Sequence, residues 1–170
     1  MSTKEFPLSD DKWEQDVWLV SRRMALMYYY MAKAIVNRLG EVEGKKLIRQ
    51  AIWEYGEACG ERVREEAQAK GLPLTPDNYG LIPDLPSKGW RGKEVTLPTG
   101  EKKHAATFCP LAATWKELEA DHPGAESLGR IYCVIDEAKY HAFNEDLRAS
   151  HLKNVLDGDD YCIIEVEKVK

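Results

Sequence analysis

The first repeating signal along the chain is helical. Trp13, Val17, Val20, Met24, Met27, Met31, Ile35 and Leu39 recur at three- and four-residue steps, which predicts an amphipathic helix over residues 9–38. Ser9 or Asp10 can cap it, and Gly40 suits the left-handed position just past its end. A second helix is expected over 41–70, with Val42, Leu47, Ile48, Ile52, Tyr55 and Val63 on its apolar side and Gly71 as its stop. The short connection makes the two an antiparallel pair. Gly56, Cys59 and Gly60 fall on roughly one face of the second helix. They cost helix propensity, so the expected gain is close backbone approach to a neighbouring element.

The pattern breaks between residues 71 and 92. Pro73, Pro76, Pro83 and Pro86, with Gly80 and Gly89, rule out regular structure over much of that stretch. Tyr79, Leu81, Ile82 and Trp90 give it enough apolar surface to pack, so an ordered loop covering a binding site is expected. Beyond it the period shortens. Residues 93–97 and 103–108 read as a hairpin around the turn at 98–101. Cys109-Pro110 opens a helix, with Trp115 and Leu118 on its inner face. Residues 131–136 read as a buried strand, 146–156 as a helix, and 161–169 as a final strand presenting Cys162, Ile164 and Val166 together. The expected fold is α+β: an N-terminal antiparallel helix pair packed on an antiparallel sheet with further helices. The chain divides into a helical half (9–70), a Pro-rich loop (71–92) and an α+β half (93–170), expected to form a single domain.

Composition narrows the function. A chain of 170 residues, 44% apolar and 31% charged, has the make-up of a globular protein. A net charge of −5 argues against a nucleic-acid partner, because acids interrupt the basic residues, as in Arg62-Val63-Arg64-Glu65-Glu66. No apolar run can span a bilayer and no signal peptide opens the sequence, so no membrane partner and a cytoplasmic location are expected. A homo-oligomer is compatible with the sequence. Cys59, Cys109, Cys133 and Cys162 lack paired zinc-ribbon spacing and should be free thiols.

The candidate chemistry lies in the second half, which holds three of those thiols and all four histidines: His104, His122, His141 and His151. Cys109 stands at a predicted helix start, where free N–H groups lower a thiol pKa and can hold a developing oxyanion. Its alternative reading is a small buried residue at a strand–helix junction. Cys133 and Cys162 lie in predicted strands, where inert packing is the simpler account. His151, with Asn154 on the same predicted helix face, is a candidate general base. His122, beside Pro123-Gly124, reads as a loop residue. Asp157-Gly158-Asp159-Asp160 reads as a turn and lacks the spacing of a calcium loop.

Several blocks together resemble the L-2-amino-thiazoline-4-carboxylic acid hydrolase family. They are Cys109-Pro110-Leu111-Ala112, the run from Tyr132 to Tyr140, Phe143-Asn144-Glu145-Asp146-Leu147, and the run from His151 to Cys162. The stretch Leu39-Gly40-Glu41-Val42-Glu43-Gly44 is similar too. The layout also looks like 4-vinyl reductase domains and transport-particle subunits, which are ligand-binding or scaffold modules. The hydrolase resemblance implies opening of a small cyclic amidine to a carbamoyl product, with no cofactor. Cys109, His151 and Asp159 are then the expected catalytic residues, and Asn154, Asp157, Asp160 and Tyr79 the substrate-binding ones. A zinc or manganese site built on Cys109, His151 and an acidic residue is the alternative.

Overall fold

A computed structural model describes residues 9–169. Helix α1 (Lys12–Leu39) starts at Asp11, whose Oδ1 accepts the N–H groups of Trp13 and Glu14 at 2.9 and 3.4 Å. The cap is thus one residue later than the sequence suggests. Gly40, at φ +83°, closes α1 and hands over to α2 (Glu41–Ala69). The two pack as the expected pair, with Gly44 lying so close to Val36 that a Cβ there would be 2.8 Å from the Val36 Cα.

The faces of α1 depart from the hydropathy reading. Trp18, Ser21, Ala25, Tyr28, Tyr29 and Ala32 are buried, whereas Trp13, Val20, Met27 and Met31 are exposed. The inner face prefers residues that pack closely and satisfy their polar atoms: Tyr28 Oη donates to the Leu128 carbonyl at 2.8 Å. On α2, Ile48 and Val63 are buried as expected, while Val42 and Leu47 face outward.

The Pro-rich loop is ordered around a single helical turn, α3 (Pro76–Tyr79). Tyr79 and Ile82 are buried, and Leu81 is exposed. At the loop's far end Trp18 Nε1 donates to the Gly89 carbonyl at 2.8 Å, tying it to α1. The antiparallel hairpin β1 (Arg91–Thr96) and β2 (Lys102–Phe108) follows as expected, then α4 (Pro110–Glu119).

Two sequence expectations fail. Residues 131–136 are not a strand but the junction of α5 (Ala125–Tyr132) with α6 (Val134–Phe143), two helices meeting at Cys133. Their apolar run is continuous because both helix ends enter the interior. Such a run is ambiguous between strand and buried helix. Residues 146–156 are not a helix but strand β3 (Leu147–Lys153) followed by a 3₁₀ turn (Val155–Asp157). Leu147, Ala149 and His151 alternate inward, and β3 is held by antiparallel pairing with β4 (Ile163–Lys168), a partner local propensity cannot anticipate. A single bridge between Ala106 and Cys162 joins the two hairpins. The α+β class holds, with two small antiparallel sheets in place of one. Among the described residues no helix is long and apolar enough to cross a membrane.

The helix junction is fixed by α2. A Cβ on Gly56 would lie 2.7 Å from the Ala138 Cβ, and one on Gly60 would lie 2.3 Å from the Lys139 carbonyl oxygen. The small-residue face expected from the sequence therefore lets α6 lie directly on the α2 backbone. In Gly60→Ala the added methyl meets a main-chain atom that cannot rotate away, and this outweighs the helix-propensity gain of up to about 1 kcal/mol. A net loss of roughly 1–3 kcal/mol is expected from urea unfolding; an unchanged midpoint would contradict the close packing.

Candidate active site

A cavity of about 650 Å³ lies between α1, α2, the Pro-rich loop, α4, α6 and the second hairpin. Its walls are predominantly apolar, and all four cysteines line it. Of the four histidines only His151 does so.

Cys109 is the N-cap residue of α4, in extended conformation, followed by Pro110 in the first helical turn. The N–H groups of Leu111 and Ala112 and the Trp90 side chain favour its thiolate, as expected of a helix start. Desolvation is larger, however, and the net effect pushes the thiol pKa up. The expectation of a lowered pKa is therefore reversed by the apolar wall. Burial also pushes Cys133 up, from an ordinary 9.0 to about 12; a hydrogen bond from Asn154 opposes this and the Asp136 charge adds to it. Burial also raises Cys162, against the Val155 N–H, which donates to its Sγ at 3.4 Å. Cys109 feels the charge of Cys162, and Cys133 that of Cys109, so the three thiols form one neighbourhood.

His151 reaches the cavity from β3 because period-two alternation turns it inward with Leu147 and Ala149. Its side chain is 4% exposed, and Nε2 lies 3.4 Å from Asp136 Oδ2. Asp136 sits on α6, one turn after Cys133. Its charge is felt by Cys133, Cys162, Lys139, Tyr132 and Tyr140. Lys139, three residues further on, is 8% exposed and bonds Asp84 of the Pro-rich loop at 2.7 Å. Burial disfavours the ammonium, but Asp136 and Asp84 outweigh it and hold the pKa above its usual value. Asp84, Leu85 and Trp90 bring the loop to the cavity wall.

Of the other expected site residues, Asp157, Asp159, Asp160 and Tyr79 lie outside the cavity lining. Asn154 does line the cavity. It is 1% exposed, and its Oδ1 accepts the Leu156 N–H at 2.9 Å. Its Nδ2, like Nδ1 of His151, is buried without a hydrogen-bond partner among the described residues. Asp159 lies behind Asn154. Its Oδ2 accepts the Asn154 N–H at 2.9 Å and its Oδ1 accepts from Lys153 Nζ at 3.3 Å, so it holds the turn that carries Asn154. Asp157 pairs with Arg130 at 2.7 Å on the outer surface, and Asp160 is exposed in the bend. Tyr79 stacks on Tyr140, with centroids 4.4 Å apart, and its hydroxyl donates to Asp84 at 3.3 Å, outside the cavity lining.

Sequence reasoning missed Asp136, Lys139 and Asp84 as site residues. The three-residue spacing of Cys133, Asp136 and Lys139 would have grouped them on one side of a helix, had that segment not been read as a strand. Among the described residues, no group of three or more His, Cys, Asp or Glu side chains is disposed to hold a metal ion.

The displaced thiol equilibria predict alkaline sensitivity. A thiol whose pKa is higher folded than unfolded favours the native state in full below the unfolded value. That contribution is lost as pH rises toward the folded one. For Cys133 the window runs from 9.0 to about 12, and the loss by pH ~11 is roughly 3 kcal/mol. Urea unfolding from pH ~8 to ~11 should show falling stability, with a shallower pH slope in Cys133→Ala. Equal slopes would contradict the burial of this thiol.

Neither the curated proteins nor the solved structures include a match to this chain. The family model described as L-2-amino-thiazoline-4-carboxylic acid hydrolase matches residues 21–165. That span contains every polar cavity residue described above, Cys109, Asp136, His151 and Asn154 among them, and the chain belongs to the L-2-amino-thiazoline-4-carboxylic acid hydrolase family.

Proposed function

We propose that the cavity opens a small cyclic amidine or amide of the 2-amino-thiazoline-4-carboxylate type to a carbamoyl product, with Cys109 as nucleophile and His151 as proton carrier. The observation that supports this most is convergence. A thiol at the start of α4 and a carboxylate–imidazole pair from α6 and β3, three separate segments, line one cavity. A ligand-binding module of the 4-vinyl reductase type draws support from the apolar walls. It gives no reason for these titratable groups to converge.

The thiol rests protonated, so it needs a base. His151 accepts its proton as Sγ attacks the carbon flanked by nitrogen and sulfur, and Asp136 stabilises the imidazolium. The N–H groups of Leu111 and Ala112 favour the charge on sulfur as it develops. The ring bond to sulfur or nitrogen then breaks, and His151 returns the proton to the leaving atom. Water, deprotonated by His151, adds to the carbon held on Cys109. Expulsion of the thiol, reprotonated by His151, leaves the carbonyl of the product. Asp136 also suits an amidinium, and Lys139 a carboxylate. Asn154 Nδ2, buried on the cavity wall beside Cys133, can donate to a bound acceptor.

Cys109→Ser should lower ring opening by several orders of magnitude with little change in Tm. His151→Asn should do the same, since the variant can no longer accept the thiol proton. Asp136→Asn should cost more activity than Asp159→Asn, since only the former faces His151. Activity should survive a chelator. Full activity of folded, metal-free Cys109→Ser protein would refute the nucleophile and leave His151 with an activated water.

A further inference from the structure

Helix α1 carries two rows of outward-facing residues at seven-residue intervals. Trp13, Val20 and Met27 form one row and are 61%, 69% and 61% exposed. Asp16 and Arg23, both exposed, stand beside them and make no ion pair among the described residues. Leu19, at 62%, and Tyr30, at 53%, widen the strip. Residues seven apart drift by only about 20° per step around a helix, so each row stays on one side of α1, where a second helix can lie along it. An outward strip of large apolar side chains on this scale is an interaction surface, whereas isolated exposed ones need no explanation.

The charges select both the occupant and its direction. Two copies of α1 in parallel would set Asp16 against Asp16 and Arg23 against Arg23. Antiparallel copies put residues of equal distance from a twofold axis at the same height. With the axis midway between residues 16 and 23, each Asp16 faces the other copy's Arg23. Leu19 and Val20 then surround the axis, and Trp13 meets the other copy's Leu26 and Met27. Such a face is self-complementary, as a twofold interface must be. It is also continuous with the cavity, since Trp13 and Val20 line both. The 28-residue helix is about 42 Å long, enough for this contact to run past the cavity rim.

We infer that this protein associates as a twofold dimer through antiparallel pairing of α1, the second copy covering the cavity along its α1 edge. Sedimentation equilibrium of the full chain at ~1–50 µM tests it, because self-association depends on concentration. The wild type should be dimeric. Met27→Glu, outside the cavity, should raise the dimer Kd by about 100-fold or more while the circular-dichroism melt shows a folded protein. Asp16→Arg and Arg23→Asp should each weaken the dimer, and the double variant should restore it, because the pairs re-form with reversed sign. A monomeric wild type, an undisturbed dimer in Met27→Glu, or no recovery in the double variant would overturn the inference. So would a monomer that floats with phospholipid vesicles, which would assign the face to a lipid surface.

Discussion

The contact on which the rest depends is backbone against backbone. Gly56 and Gly60 let α6 settle on α2 with no side chain between them. That depth sets the height of α6 under the cavity. It decides that Asp136 meets the imidazole arriving from β3 and that Lys139 reaches the carboxylate of the Pro-rich loop. A methyl group at either glycine would lift α6 and move the ends of both pairs together. The helix therefore carries the polar half of the site, while α1 and α4 contribute mostly its apolar walls.

The loop belongs to the same arrangement. Its near part is held by Tyr79 and Ile82 in a cluster with Val63, Phe143 and Leu147, and its far end by the Trp18 bond to Gly89. Between these anchors Asp84 is turned inward to Lys139 and is also shared with Arg62 at 3.4 Å. Proline stiffness reduces the entropy lost in holding this stretch still. The loop thus packs as wall, and the buried ion pair fixes which residues face the interior.

Much of this was legible in the residues. Helix ends at glycine, the hairpin around residues 98–101, the Cys109-Pro110 helix start and the small face of α2 follow from local rules, and each is found. The lower half of the site was not legible, and for one reason. Residues 131–136 are apolar on every side because two helix ends are buried there, which removes the period that separates helix from strand. With that segment misread, Asp136 and Lys139 had no face to share with Cys133. Residues 147–153 failed from the other direction, since their strand exists through pairing with β4. Cys109, His151 and Asn154 do line the cavity, but the last two reach it from a strand and a turn and not from the helix face expected of them. Asp157, Asp159, Asp160 and Tyr79 were polar and near in sequence, yet they are spent on the turn, the outer surface and the loop core. Hydropathy also set the inner face of α1 too far round, because it scores methionine and valine above the tyrosines that pack inside, although Met24 and Ile35 of the expected row do pack against the core.

The shared neighbourhood of Cys109, Cys133 and Cys162 has a consequence for durability. Adjacent thiolates are the ordinary route to sulfenic acids and disulfides, since oxidants react with the anion far faster than with the neutral thiol. Here the apolar wall keeps all three protonated. The desolvation that raises these thiols thus also disfavours the anion through which peroxide would attack them.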